Sequence, residues 1–506
     1  MNANLFDILH NAIPDFGALA IETVGGGRLL YGDLVERSGR MANALVALGV
    51  APGDRVAAQV EKSPEVIVLY LATVRAGAVF LPLNTAYTSA EMDYFVADAQ
   101  PAVLVCDPVR VDGLSDAAGR AGTRIVTLDA AGQGSLTDLA AGAPADFATV
   151  PREAEDLAAL LYTSGTTGRS KGAMLTHGNL VSNAAALREA WHYGASDVLI
   201  HALPIFHTHG LFVASNVTLF SGASMILLPR FDPDCILALM DRATVLMGVP
   251  TFYTRLLGDD RLDRNRAARM RLFISGSAPL LADTHRAWQA LTGHAILERY
   301  GMTETNMNAS NPYHGDRIAG TVGLPLPGVR IAVTDPDSGR ELPRGEIGMI
   351  EVRGPNVFKG YWRMPDKTAA ELRANGFFIT GDLGRFDDRG YLHIVGRAKD
   401  LVITGGYNVY PKEIEDAIDA LPGVAESAVI GLPHPDLGEA VTAVVVPDAP
   451  DAASESAVLA ALDGRLARFK QPRRVLPVDE LPRNTMGKVQ KNLLRERFAD
   501  LYLGKN

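Results

Sequence analysis

Residues 162–172 read Tyr-Thr-Ser-Gly-Thr-Thr-Gly-Arg-Ser-Lys-Gly and follow directly on the apolar run 157–161. A strand that empties into such a stretch can wrap backbone N–H groups, hydroxyls and a lysine around a polyphosphate. The spacing is not that of a Walker A loop. Standing alone, the stretch also reads as a polar surface loop. Further clusters add chemistry. In Tyr300-Gly301-Met302-Thr303-Glu304, glycine permits close backbone approach, threonine can donate to a phosphoryl oxygen, and glutamate can hold a magnesium ion. Asp382, in Thr380-Gly381-Asp382, reads as a turn carboxylate able to accept from both hydroxyls of a ribose. Lys488, after Gly487, is a compact cation that can neutralise charge on a phosphoryl transition state.

Elements that position these clusters are legible around them. Asp33 to Leu48 predicts a helix with Asp33 as N-cap and Gly49 as the residue that ends it. Residues 55–60 predict a strand, Ser63-Pro64-Glu65 opens a second helix, and residues 77–83 predict the next strand. Such alternation implies α/β layers with parallel strands. A similar pattern recurs between Asp197 and Leu297, so two stacked α/β subdomains are expected. Residues 273–279, Phe-Ile-Ser-Gly-Ser-Ala-Pro, predict a strand, a small-residue turn and a helix with Pro279 early in it. After Thr321, short strand-like runs at 329–334 and 345–352 predict a small β-rich subdomain. Past Gly396-Arg397-Ala398-Lys399-Asp400 the pattern is mixed α+β, which places a hinge near Lys399 and domains at 1–397 and 398–506. Residues 449–453 read as a surface loop.

Bulk properties narrow the class. With 506 residues the chain exceeds a single core. A net charge of −10 argues against nonspecific nucleic-acid or anionic-membrane binding. Cys106 and Cys235 alone give no disulfide framework and suit a reducing cytosol. No signal peptide and no membrane-length apolar run is visible, so a cytoplasmic protein is expected.

Taken in order, the phosphate loop, Ser275-Gly276-Ser277-Ala278-Pro279, Tyr300–Glu304, Thr380-Gly381-Asp382, Gly396-Arg397, Gly405-Gly406-Tyr407 with the segment to Glu415, and Gly487-Lys488 resemble the adenylate-forming superfamily of acyl-CoA synthetases, luciferases and adenylation domains over nearly the whole chain. The resemblance implies ATP, Mg²⁺ and CoA, and two half-reactions served by one swinging C-terminal domain. It implies that Thr163, Ser164, Gly165, Thr166, Thr167, Gly168 and Lys171 grip the phosphates. Tyr300 and the Gly276-Ser277-Ala278 turn would sandwich adenine, Glu298, Gly301 and Met302 would also belong to the ATP site, and Asp382 and Arg397 would hold the ribose. Thr303 would contact the α-phosphate, Glu304 and Thr166 the metal, and Lys488 would bridge the carboxylate and α-phosphate. Lys399 matches the hinge, and Gly405, Gly406 and Tyr407 would face CoA. A lysine such as Lys488 is also a target for reversible acetylation in related synthetases. No carrier-protein segment follows, which speaks against a multimodular synthetase.

The acyl pocket, by the same resemblance, draws on His207, Thr208, His209, the Ser277 turn with its helix, and the Tyr300 loop. These segments are polar, which suits a short acid with a second charged group. Arg286 is the expected partner of a distal carboxylate, and Thr208 and Met307 would sit near C2 of the acid. His207 is expected to serve in the core or as a gate, not in a metal pair. Residues 275–286 and 300–308 look close to malonyl-CoA synthetases, so malonate or methylmalonate is the expected acid. Another short-chain, dicarboxylic or aromatic acid is the nearest alternative. A luciferase-like oxidase and a non-catalytic nucleotide binder are more distant ones.

Overall fold

The computed structural model describes residues 2–163, 170–449, 452–484 and 487–502. Two large sheets carry the first three-quarters of the chain. In one, the strands Arg124–Thr127, Val103–Cys106, Arg55–Gln59, Val79–Pro82 and Leu157–Thr163 run parallel, and Lys171–Thr176 and Gly360–Tyr361 add antiparallel. In the other, Leu19–Thr23, Ser224–Leu227, Val198–His201, Val245–Gly248, Leu272–Ser275 and Leu297–Met302 run parallel, with antiparallel strands at both edges. Strands such as Val103–Cys106 and Val245–Gly248 are buried throughout, as expected where helices cover both faces of a parallel sheet.

The subdomains are less contiguous in sequence than the alternation suggests. The hairpin formed by Leu19–Thr23 and Arg28–Leu30 belongs to the second sheet, and Gly360–Tyr361 returns to the first. Helix boundaries correct two expectations. Asp33 is not the N-cap of Tyr31–Ala47; it lies in the first turn and accepts from the Leu30 N–H at 2.8 Å. Pro279 lies outside the helix Ala282–Thr292. The helix Pro64–Arg75 starts as its sequence predicts, with Ser63 before it and Pro64 in its first turn.

A four-stranded antiparallel sheet, Arg330–Thr334, Gly348–Arg353, Phe378–Phe386 and Leu392–Arg397, forms the β-rich unit. Beyond it, Val402–Thr404, Tyr407–Val409, Val424–His434, Gly438–Pro447 and Arg474–Pro477 make a five-stranded sheet with helices Pro411–Asp419, Glu455–Leu462 and Lys491–Arg497. Its apolar clusters, around Val402, Ile414 and Val441 and around Ile430 and Leu494, draw only on residues beyond Asp400. The loop expected at 449–453 lies partly outside the described residues.

Candidate active site

Ligands of open α/β sheets gather beyond the carboxyl ends of the strands, and the clusters read from the sequence gather there. Thr163 ends one strand and Lys171 begins its antiparallel partner, paired in register. The loop between them, with Ser164, Gly165, Thr166, Thr167 and Gly168, lies outside the described residues. The Lys171 ammonium sits 4.3 Å from the centre of the Tyr361 ring and 3.7 Å from the Glu371 carboxylate. The Tyr361 hydroxyl lies 3.0 Å from Glu304 Oε1 and 2.7 Å from Glu371 Oε2. One phenolic hydrogen cannot serve two carboxylates at once. Burial raises the Glu304 carboxyl above its ordinary value, against the pull of Tyr361 and Lys171. Glu304 is thus held by Tyr361 and made readier to take a cation in place of a proton.

Asp382 is not a turn residue. It lies within the strand Phe378–Phe386, directly across from Arg397. Its carboxylate accepts from the Tyr300 hydroxyl at 2.5 Å and pairs with Arg397 Nε at 2.7 Å. The adjacent Asp382 charge, stronger than the opposing burial, raises the Arg397 guanidinium further. Thr303 is half-buried in the turn before Glu304.

Lys488 enters this cleft from the C-terminal unit. Its loop packs on the large domain: a Cβ at Gly487 would come within 3.4 Å of Thr251 Oγ1. Burial, and next the Arg397 charge, lowers the Lys488 amine to about 8, against the attraction of Asp382 and Asp400. Lys399 lies exposed in the short turn Ala398–Asp400, and Asp400 binds Arg495 at 2.6 Å. Gly405 and Gly406 form a two-residue hairpin turn, with φ of 56° and 83°, between strands that pair Thr404 with Tyr407. Tyr407 is 57 % exposed and stacks on Phe469 at 4.7 Å, so this loop faces outward while Lys488 faces the cleft.

On the acyl side, His207, Thr208 and His209 lie on the loop that joins the strand Val198–His201 to the π-helical turn His209–Ser215. Such turns recur at functional sites. His209 Nδ1 lies 3.2 Å from Ser277 Oγ, and Ser277 takes a left-handed φ of 72° beside Gly276. The His209 N–H donates to His207 Nδ1 at 3.3 Å. Met307 is buried, and its backbone N–H and C=O are both held by the Asn183 amide, at 3.2 and 2.9 Å.

Arg286, expected to anchor a distal carboxylate, does not face this pocket. Its side chain is 67 % exposed and pairs with Asp283 three residues earlier on the same helix. The turn of the helix carries Arg286 outward and His285 inward. His285 binds Glu298 at 3.0 Å, and the same Glu298 oxygen accepts from the Gly320 N–H at 3.2 Å. The Glu298 side chain, assigned to the nucleotide from sequence, is therefore engaged in the core.

The cation that does lie here is Arg299, which the sequence reading passed over. It is 4 % exposed, and its Nε and Nη2 have no partner among the described residues. It lies against Gly276, where a Cβ would meet the guanidinium at 2.3 Å. Burial lowers Arg299 to about 9, which leaves it cationic at neutral pH. Burial and then the Arg299 charge lower His207 to about 4 and hold His209 well below the ordinary imidazole value, so both rings are neutral. The signal was an arginine inside the otherwise inward-facing strand Leu297–Met302, where a buried charge needs a reason.

Among the described residues no three His, Cys, Asp or Glu side chains cluster as a metal cage. Magnesium needs none: it is commonly held by one or two carboxylates together with substrate phosphates and water. Glu304, a buried carboxylate at this cleft, suits that role.

Two family models match the chain: AMP-binding enzyme over residues 11–362 and AMP-binding enzyme C-terminal domain over residues 413–488. The crystal structure of ATP-bound MatB from Rhodopseudomonas palustris is 67 % identical, covering 99 % of this chain and 100 % of that one, with a TM-score of 0.98. The apo form of MatB from the same organism has the same identity and coverage, with a TM-score of 0.88. A feruloyl-CoA synthase from Amycolatopsis is 38 % identical over 94 % of this chain and 95 % of its own length. A malonate–CoA ligase from Arabidopsis thaliana is 34 % identical over 96 % of this chain and 84 % of its own.

Proposed function

The chain belongs to the AMP-binding enzyme family, as an AMP-forming acyl-CoA synthetase that uses ATP, Mg²⁺ and CoA, and we propose that its acid is malonate, with methylmalonate as a second substrate. The observation that carries this reading is Arg299. A buried guanidinium whose Nε and Nη2 have no partner among the described residues costs free energy until an anion meets it, and its planar fork suits a carboxylate. Beside it stand His209, Ser277 and the neutral His207. In this reading Arg299 takes over the role that the sequence assigned to Arg286. The second carboxylate of malonate binds Arg299, and the first points toward Lys488. Thr208, buried with its hydroxyl unpartnered among the described residues, and Met307 border C2 and set the tolerance for a methyl group.

In the first half-reaction the carboxylate attacks the α-phosphorus of ATP, and pyrophosphate leaves. Lys171 and the loop before it hold the β- and γ-phosphates, and Asp382 with Arg397 holds the ribose. Glu304, positioned by Tyr361, would hold the magnesium ion, which would supply neutralising charge to the phosphate oxygens. Lys488 stabilises the charge that grows between carboxylate and α-phosphate. The arrangement described above is the adenylating one, with Lys488 in the cleft; the agreement with the ATP-bound MatB structure supports this. For thioester formation the unit 398–506 turns about Lys399 and brings Gly405, Gly406 and Tyr407 to the CoA thiol.

The test is AMP release from MgATP and CoA across malonate, methylmalonate, succinate, acetate, octanoate and ferulate. AMP confined to malonate and methylmalonate is the expected result; preference for octanoate or ferulate removes Arg299 as substrate anchor. The feruloyl-CoA synthase similarity makes an aromatic acid the second reading, and the buried cation weighs against it.

Two finer points complete the proposal. The enzyme works in the cytosol on small molecules, without nucleic acid or membrane; no helix among the described residues is long and apolar enough to cross a membrane. Lys488, exposed on one side, is open to reversible acetylation by a lysine acetyltransferase and deacetylase, which would remove its charge. Peptide mapping of protein from cells lacking deacylases tests this; an unmodified Lys488 throughout refutes it.

A further inference from the structure

Lys62 is a lysine that neither half-reaction uses, and it is buried at 9 % exposure. It follows the strand Arg55–Gln59 of the first sheet, yet among the described residues its hydrogen bonds go to the end of the strand Val198–His201 in the second and to Leu203 just beyond it. Three acceptors surround it: the carbonyl of His201 at 2.7 Å, the carbonyl of Leu203 at 2.8 Å and His201 Nδ1 at 2.9 Å. No carboxylate is among them.

The proton inventory is constrained. His201 Nε2 lies 2.9 Å from the Gly210 carbonyl and 3.1 Å from Ser215 Oγ, and Ser215 Oγ itself donates to Gly210 at 3.0 Å. A carbonyl only accepts, so Nε2 carries hydrogen. Nδ1 is then the acceptor, and three acceptors around the Lys62 nitrogen match the three hydrogens of an ammonium, where a neutral amine has only two. Burial depresses both groups, with Lys62 adding to the effect on His201. Taking such a charge out of water without a counter-ion costs several kcal/mol, which simple sheet-to-sheet adhesion does not require.

What the charge holds is specific. Lys62 grips the Leu203 carbonyl directly and the Gly210 carbonyl through His201. These are the two ends of the loop that carries His207, Thr208 and His209. The ends are pressed together: a Cβ on Gly210 would lie 2.1 Å from the Pro204 carbonyl oxygen. The chain of contacts then runs on from His209 to Ser277.

We propose that Lys62 is a positioning residue for the acyl pocket, a buried cation that clamps both ends of the loop 203–210 and so aims His207, Thr208 and His209 toward Arg299. The inference rests on the acyl-pocket reading above. A residue that only joins the sheets would affect stability and both substrates alike. A clamp on this loop affects the acid and leaves the nucleotide alone, because the contacts of Lys171, Glu304 and Asp382 do not pass through it.

The experiment measures acid-dependent ATP–pyrophosphate exchange and thermal midpoint for Lys62→Met and Lys62→Gln, beside wild type and Arg299→Met. Malonate is the acid, or whichever acid the AMP-release screen selects, so failure of the malonate reading shows separately in wild type. The expected result for Lys62→Met is a KM for the acid raised about tenfold to a hundredfold with the KM for ATP within about twofold. Lys62→Gln, whose amide still donates to the carbonyls, falls between it and wild type. Unchanged KM for the acid in folded Lys62→Met overturns the proposal. So does a parallel rise of both KM values with a fallen thermal midpoint, or loss of fold in both variants.

Discussion

The nucleotide side and the acyl side of this cleft handle their polar groups in opposite ways. On the nucleotide side each group has a partner within reach: Asp382 holds Tyr300 and Arg397, and the Tyr361 hydroxyl is shared between Glu304 and Glu371, with Lys171 beside Glu371. On the acyl side, Arg299 Nε and Nη2, His209 Nε2 and Thr208 Oγ1 are buried with no partner among the described residues. Each such atom costs about 1–3 kcal/mol. A site that receives ATP, bringing its own metal and charge, is best kept organised before the ligand arrives. A pocket that must choose among acids gains selectivity from groups that only the right acid can satisfy.

The sharpest break in that comparison is Lys488→Ala. Adenylation should fall by about a thousandfold, the scale for removing a donor aimed at developing charge. Thioester formation from supplied acyl-adenylate should be nearly untouched, because the turn proposed about Lys399 would take Lys488 out of the cleft for that step. Equal loss in both half-reactions would remove the role given to Lys488. Next in size is Arg299→Met, expected to lower kcat/KM for malonate about a hundredfold with the KM for ATP unchanged. Arg286→Ala, on the solvent face with Asp283, should leave both within about twofold; the reverse pattern would restore the sequence-based assignment.

Tyr361→Phe probes the other side. It removes the hydroxyl between Glu304 and Glu371 while keeping the ring under Lys171. Outer partners of metal ligands are worth about 10- to 100-fold in metal affinity. The Mg²⁺ needed for half-maximal adenylation should therefore rise about tenfold, with no change in the ratio of malonate to methylmalonate turnover. A changed ratio would show that the two sides are not independent.

The same contrast explains what the sequence made legible. The nucleotide side is built from short contiguous motifs, so Lys171, Thr303, Glu304, Asp382 and Arg397 stood out in the sequence, by motif and by family resemblance, and the structure brings them to one cleft. Layer architecture was legible too, because parallel strands announce themselves as apolar runs. The acyl side is assembled from three distant segments, and which residue faces inward depends on helix phase and strand twist. Arg286 and Arg299 were equally visible as arginines. One turn of the helix Ala282–Thr292 sends the first to solvent, and the strand Leu297–Met302 keeps the second inside. Lys62 is invisible for a related reason: its partners lie about 140 residues away, on the other sheet, and are mostly backbone carbonyls.

The smallest expected effect is a difference in pH response between the two sides. Lys488 acts as a cation, and burial beside Arg397 lowers it to about 8. Its charge is complete below that value and is lost as pH rises through it. Bound phosphates push the amine back up, so the loss belongs to the free enzyme and appears in kcat/KM for ATP. That quantity should bend downward near pH 8 by a few-fold per unit. Lys488→Arg, protonated throughout, should be slower but flat there. The acyl side should not bend in the same range. His207, lowered to about 4, is neutral and Arg299, lowered to about 9, is charged across the interval between those values. The KM for malonate should thus stay level through neutral pH. A shared bend in both profiles that survives Lys488→Arg would place the titrating group on the acyl side and reverse the contrast.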